Sequence, residues 1–478
     1  MYKVGERNQI TLFPARIEDY VGPNDPVRVY NAFVEALDFS ELGIPIEPFK
    51  SGAHEYYPKA MLKLFIYGYS YGNRSSRKLE RACHHNISFI WLMEGLRPDY
   101  RTIARFRKEY KEAIKKVLKE SARLCLELDL IEGNTLFADS SPIRANASIG
   151  QTWTKDKTEE YLKRIEEEIN KLMEETERID QEEEWQDSLV EIKEQMRDKE
   201  ALKQKIEGIA ERLKGSGKGH LNGTDEESVN VKGRQGIHAS YRAELVVDEK
   251  HGLIVQSEAV SESNDRNQLS HQVKQAVENI GQTPQTVCSD TGYYGLTDLE
   301  KIPEEMMVVI PNQQQAQKEN QRHPVKPFSK EEFKYDEEKD EYICPEGRRL
   351  KYAGEAFGDA RKKAYKAEGK ECRSCRHFGV CTKSKGGRRV IRMKEEELKE
   401  RLTQIYESAE GQVIYKLRKE KAELPFGHIK RNLSCGQFLL RGKKGTDAEL
   451  SLLSTCFNIA RMITIVGIPM LVSKLSGL

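Results

Sequence analysis

Residues 134–140 read NTLFADS, and the fold turns on what that run is. Leu136-Phe137-Ala138-Asp139 is a short apolar strand closed by a carboxylate. The same arrangement recurs at QTVCSD, residues 285–290, where Asp290 closes the apolar run and the glycine-flanked turn TGYYG follows. Neither carboxylate has an easily solvated place, because each directly ends a buried-looking strand. Each is therefore either a strand-end cap or turn former, or a group held for chemistry.

Working outward, HASYRAELVVD (238–248) and GLIVQSEAV (252–260) alternate as strands do and are joined by the tight turn EKHG. A helix from Arg266 to Ile280 leads into QTVCSD, and a further strand, MMVVIP (306–311), follows. With the long inserts set aside, the order is strand, hairpin of two strands, helix, strand, strand, helix. That predicts an α/β mixed sheet flanked by helices, the element order of an RNase H-like fold.

Before this core, 1–48 reads as a polar arm cut by Pro14, Pro23 and Pro26. Residues 49–130 read as a helical DNA-binding domain of the helix-turn-helix kind. Apolar residues there recur at three- and four-residue spacing, with Ser75 and Asp99 as N-caps. The core's first strand occupies 131–150. An insert at 151–222 carries two stripes, one of Leu162, Ile165, Ile169, Leu172 and Ile179. Leu189, Ile192, Met196, Leu202, Ile206, Ile209 and Leu213 form the other, and together they predict a coiled-coil hairpin. The central strands fill 223–312, a Cys-rich insert 313–398, and C-terminal helices completing the core 399–478.

The chain of 478 residues is long enough for several domains at roughly 100–200 residues each. Its net charge of +1 hides segments of opposite sign. From Lys50 to Arg123 there are seventeen Lys/Arg against seven Asp/Glu; from Lys155 to Leu213 there are twelve against twenty. A basic block of that size suits a phosphate backbone, or is simply a solvated helix surface. The start of the chain lacks the pattern of a signal peptide, and the run Met462–Val472 is too short to span a bilayer, which needs about 20 residues. The expectation is a cytoplasmic protein without membrane partners, its nine cysteines thiols or metal ligands.

LFADSSPIRANAS, SDTGYYG and YKLRKEKAELPFGHIKRN resemble, in this order, the three acidic motifs of bacterial insertion-sequence DDE transposases, and of the insertion-sequence eleven-eighty-two family in particular. The blocks YYPKAMLKLFIYGYSYGNRSSRKLERACHHNISFIWLMEG, RPDYRTIARFRK and VVDEKHGLIVQSEAVSESNDRNQL resemble the same family. The resemblance implies a catalytic triad of Asp139, Asp290 and Glu423 holding Mg²⁺ (or Mn²⁺). The third motif, Tyr415-x2-Arg418-x4-Glu423-x6-Lys430, has one residue more before the glutamate than the related tyrosine-arginine-glutamate-lysine signature. Glu423 and Lys430, seven apart, are expected on one helical face, with Lys430, Tyr415 and Arg418 toward DNA. Asn264 and Asp265 fall where a helix begins and read either as an N-cap with a first-turn acid or as support for the site.

Cys344, Cys372, Cys375 and Cys381 form C-x27-C-x2-C-x5-C in one polar segment. They are either a structural Zn²⁺ site with His377 as a spare ligand, or reduced surface thiols. Arg74, Arg77, Lys78 and Arg81 cluster at one helix start, and Arg101, Arg105, Arg107 and Lys108 at another. Arginine forks suit phosphates and guanine edges, so both clusters are expected on terminal inverted repeats. Trp153 is either a packing residue or a stacking platform for a base. The resemblance implies Mg²⁺-dependent cleavage and strand transfer on double-stranded DNA, at transposon ends and target, by a homodimer or larger assembly. The rivals are a catalytically silent, transposase-derived DNA-binding protein and a nuclease without joining activity.

Overall fold

The computed structural model describes residues 16–46, 55–182, 186–233, 236–319 and 327–477, leaving aside the side chains of 177–182, of 186–190 and of Glu331. Pro14 of the expected arm, and Ile179 and Leu189 of the expected stripes, lie outside what is described. Seven helices come first: α1 (Val27–Glu35), α2 (Phe39–Leu42), α3 (Pro58–Ser70), α4 (Ser76–His85), α5 (Ile87–Leu92), α6 (Tyr100–Glu109) and α7 (Lys111–Glu127). Asp99 caps α6, its Oδ1 accepting from the backbone N–H of Arg101 at 2.8 Å and of Thr102 at 3.0 Å. Ser75 stands at the N-cap of α4 without a side-chain bond.

The strands follow: β1 (Thr135–Arg144), β2 (Thr152–Trp153), β3 (Leu221–Asn222), β4 (Val229–Gly233), β5 (Gly236–Asp248), β6 (Ile254–Val260), β7 (Thr286–Cys288) and β8 (Met307–Val309). Helices α8 (Lys155–Glu182) and α9 (Gln186–Ser216) separate β2 from β3, and α10 (Leu269–Ile280) and α11 (Leu296–Leu299) flank β7. After α12 (Gln313–Glu319) comes a second sheet of β9 (Lys334–Asp336), β10 (Glu341–Ile343), β11 (Arg349–Ala356), β12 (Asp359–Ala367) and β13 (Arg389–Met393), with α13 (Gly369–Arg373) between its last two strands. The last helices are α14 (Glu396–Glu407), α15 (Ala409–Gly427), α16 (Lys443–Val466) and α17 (Ile468–Ser476).

In the main sheet β6, β5, β1, β7 and β8 lie side by side, with β4 extending the β6 edge along the first half of β5. β5 is antiparallel to β1 and β6, whereas β7 and β8 run parallel to β1. β1 is longer than the sequence predicts. Pairing with β5 carries it past Asp139↔Leu245 to Arg144↔Ser240, so Asp139 sits in mid-strand rather than at its end. β7 pairs with β1 only as far as Phe137↔Cys288, so from Asp139 to Ile143 β1 has a strand partner on one side alone, until Arg144 bridges to Gln437.

The N-terminal helices have no core of their own. Their buried residues are continuous with those of the sheet and of α16, which packs on α3, α7 and β6. That packing explains why α16, apolar and long enough for a bilayer, is an interior helix: Leu450, Leu453, Cys456 and Ile459 are fully buried. It also closes the β6 edge, where the Asn458 side chain bonds both backbone groups of Ile254, at 2.8 Å each.

α8 and α9 pair through Ile165, Ile169, Ile206, Ile209 and Leu213 against Trp153. Trp153 is thus a packing residue, its ring edge-on to Tyr161. Leu202, expected in the stripe, is 40% exposed. A cross-helix ion pair, Lys203 to Glu166 at 2.8 Å, seals the hairpin's side.

Candidate active site

The register of β1 and β7 places two carboxylates together. Phe137 and Cys288 are the last parallel partners, and Asp139 and Asp290 each stand two residues further on. Side chains two apart share a face, and adjacent strands lie about 4.8 Å apart, so both aspartates leave the same face at the same level. Asp290 Oδ1 accepts from Gly292 N–H at 2.8 Å, fixing the turn that follows β7. Arg418 of α15 enters from that face, its Nη1 3.3 Å from Asp139 Oδ2. Burial pushes the Asp139 carboxyl up to about 6; Arg418 pulls the other way and Asp290 adds to the rise. Arg418 Nε and Nη1 are buried donors that make no well-directed hydrogen bond among the described residues, Nη1 meeting Asp139 as an ion pair only.

Glu423 is on the same helix but not in this cluster. It is exposed, without a hydrogen bond or ion pair among the described residues. The extra residue in the third motif is the physical reason. Four residues after Arg418 the inward position is taken by buried Ala422, and a fifth residue turns the side chain about 140° away. Nor do Glu423 and Lys430 share a regular face, because His428–Asn432 form a π-helical turn. Lys430 is half-buried there and donates to the Ser141 hydroxyl on the Asp139 face of β1. Tyr415 is 7% exposed and packs edge-on against Tyr406. An open groove bordered by Arg266, Thr291, Gly292, Asn312, Gln313 and Lys399 runs beside the Asp290 turn.

The opposite face of the same strands carries a second polar system. Ser140 and Glu244 are direct partners across β1 and β5. Asp265 forms an ion pair with Arg242 and accepts from the Ser140 hydroxyl, which Arg242 Nη2 also reaches at 2.6 Å. The helix-start reading of Asn264 and Asp265 is therefore corrected: α10 begins at Leu269, and the Asp265 carboxylate is spent on Arg242 and Ser140. Asn264 makes only a local turn, accepting from Arg266 N–H at 3.2 Å. A Cβ at Gly292 would stand 2.9 Å from both Asp265 Oδ2 and Asp290 Oδ1, so this glycine lets the two carboxylates approach. Sequence reading missed Arg242, Glu244 and Tyr293. Two alternate charges in an otherwise apolar strand were the available signal.

Glu244 is fully buried and Tyr293 donates its hydroxyl proton to it. Burial pushes the Glu244 carboxyl up to about 8. The folded state therefore binds this proton more tightly than the unfolded chain, and the stabilisation is lost as pH rises from about 4.5 through 8, by at most about 1.4 kcal/mol per pH unit. Chemical denaturation at pH 5.5 and 8 should show the wild type losing stability relative to Glu244→Gln. Parallel pH profiles would mean that Glu244 is charged in the fold.

The basic residues divide. Arg77, Lys78 and Arg81 on α4 and Arg101, Arg105 and Lys108 on the adjoining α6 are exposed, with Arg77 and Arg101 both over the Tyr100 ring, at 5.1 and 5.8 Å. Arg74 is not among them. It is buried, 2.8 Å from Glu449 of α16, and its other nitrogen donates to the carbonyls of Ser434 and Gln437. Arg107 is half-buried and donates to the Tyr69 hydroxyl at 3.1 Å and the Arg74 carbonyl at 3.0 Å.

Cys344, Cys372, Cys375 and Cys381 line one small cavity with His377. Backbone N–H groups point at two of the sulfurs, Arg348 at Cys344 Sγ (3.3 Å) and Arg388 at Cys372 Sγ (3.4 Å). His377 is engaged with Glu346 at 3.2 Å. Cys83, Cys125, Cys288, Cys435 and Cys456 are buried core residues. Among the described residues, no three Cys, His, Asp or Glu side chains are already drawn together as a metal shell, at either the aspartates or the cysteines.

Two segments match known families. Residues 343–463 match the family described as Transposase DDE domain, and residues 15–109 match that described as Transposase domain (DUF772). No curated protein and no solved structure matches the chain.

Proposed function

We propose, from the premise that its two matched segments make this chain a bacterial-type DDE transposase, that it binds transposon ends and cuts and rejoins DNA at Asp139 and Asp290. The observation that carries the reading is the placement of those aspartates at one level of adjacent parallel strands, with buried Arg418 beside them. The strand order and directions around β1 support an RNase H-like catalytic core, and the motif blocks support the eleven-eighty-two group.

Two carboxylates on one face, one of them short of counter-charge, fit a divalent cation such as Mg²⁺. Asp139 and Asp290 would hold it, with Glu423 completing the set after α15 adjusts on DNA. Bound there, the ion supplies activation of the attacking oxygen and stabilisation of the leaving one in an in-line displacement. Arg418 orients Asp139. Lys430 stands where a DNA phosphate would follow β1, and the exposed arginines of α4 and α6 would hold the inverted repeat. The test is a labelled terminal-repeat duplex incubated with the protein and Mg²⁺. Nicks at the element end and joined products support the reading. Tight binding without cleavage supports the silent DNA-binding rival, and cleavage without joining supports the nuclease.

The four cysteines fit a structural zinc ion, since a segment with so small an apolar core gains stability from a metal. Metal analysis of the purified chain should find about one zinc per chain, reduced by Cys372→Ser together with Cys375→Ser. A metal-free wild type with the same melting temperature would leave the cysteines as reduced thiols.

A further inference from the structure

Between Ile343 and Lys394, sixteen Lys/Arg face five Asp/Glu, the most basic stretch of the chain outside the helices already considered. The sheet register gathers part of that charge. Lys351 of β11 is the direct partner of Lys366 of β12, and Lys366 of Arg389 of β13, so three cations stand in one row across adjacent strands. All three are exposed and none has a carboxylate partner among the described residues. Like charges directly opposite one another destabilise a sheet, so folding gives no reason for the row.

A second oddity lies at the tip of the same hairpin. Ala356 pairs with Asp359, leaving Phe357-Gly358 as a two-residue loop with φ of 59° and 67°. Such a loop prefers Asn-Gly, and a bulky side chain at positive φ is strained. Phe357 is nonetheless there, 80% exposed, with the Arg389 guanidinium 5.7 Å from its ring centre. Strain and exposed apolar area are thus maintained together beside an unpaired cationic row.

We propose that the β11–β12 hairpin is a second DNA-binding surface, with the phosphate backbone of duplex DNA on Lys351, Lys366 and Arg389 and Phe357 wedged at a base step. The charge complementarity selects a polyanion, and an aromatic tip beside it selects one with bases to unstack. The proposal rests on the reading of the chain as a DNA-processing enzyme, and the test keeps the two apart.

The test measures affinity for a labelled duplex against salt concentration. Three phosphate contacts contribute about 2.7 to the slope of log K against log salt, so Lys351→Gln/Lys366→Gln/Arg389→Gln should flatten the slope by about that much. The same variant should melt at or above the wild-type temperature, because the repulsion is gone, and Lys351→Arg/Lys366→Arg/Arg389→Lys should keep the slope. Phe357→Asn, better suited to the turn, should bind about tenfold more weakly without losing stability. Wild-type binding with an unchanged slope in the glutamine variant overturns the hairpin surface while the enzyme reading stands. A glutamine variant that melts earlier also overturns it, because the row is then structural. A wild type that binds no duplex overturns both.

Discussion

Asp139→Asn and Asp290→Asn each lose cleavage of terminal-repeat DNA by about 10²–10³-fold or more, while affinity for that DNA stays within a few-fold of wild type. The size follows from geometry. The two carboxylates leave adjacent strands at one level, so neither can be replaced by a neighbour without moving a strand. Asparagine keeps the shape and removes the charge. Asp139→Asn leaves Arg418 facing a neutral amide in a buried cavity, and Asp290→Asn keeps an oxygen for the Gly292 N–H. Cleavage by gel and binding by fluorescence anisotropy, on the same preparations, separate the two effects. Unchanged cleavage in both variants would remove these aspartates from the reaction. Glu423→Gln is the discriminating companion. A loss matching that of Asp139→Asn means that α15 rotates the glutamate inward when DNA binds. Full activity would move the third carboxylate elsewhere, with Asp265, which borders Gly292 together with Asp290, the candidate.

Asp290 was legible because its strand end is written in the chain itself, an apolar run, an acid, then a glycine turn, whereas Asp139 shares only the apolar run and the acid and lies in mid-strand. What pairing decides was not. β1 runs on through Ser141-Pro142 because β5 offers a partner as far as Ser240, and no local pattern announces that. Glu423 shows the opposite hazard. A motif carries residue types, whereas the number of residues between Arg418 and the glutamate decides which way the helix presents them, and the π-helical turn at His428 breaks the count again. Asn264 and Asp265 read either as a helix start or as support for the site because the partners of Asp265, Arg242 and Ser140, come from strands far away in sequence. The cysteines were legible as a cluster by spacing alone, and the fold does gather them around one cavity.

Arginines are where sequence reading was least able to discriminate, and Arg74 carries the second large effect. Its neighbours Arg77, Lys78 and Arg81 are exposed, and by sequence it belongs with them. The fold instead sends it inward, where one guanidinium serves Glu449 and the carbonyls of Ser434 and Gln437. Glu449 is itself buried and accepts from the N–H groups of Leu439 and Leu440, at 2.8 and 3.0 Å. One ion pair therefore ties the turn before α4, the loop after the π-helical turn and α16 together. Removing Arg74 leaves a buried carboxylate facing carbonyl oxygens, and breaking such a pair costs about 3–5 kcal/mol. Arg74→Ala is expected to lower the denaturation midpoint by that measure, whereas Arg101→Ala, on the exposed face of α6, should stay within about 0.5 kcal/mol of wild type and weaken DNA binding instead. Arg74→Met with Glu449→Leu should recover part of the loss, since an apolar pair of similar volume carries no desolvation penalty. Should Arg74→Ala melt like wild type and bind DNA more weakly, the side chain faces nucleic acid in solution. The basic block would then act as one surface rather than as an exposed set of cations with a buried tie behind it.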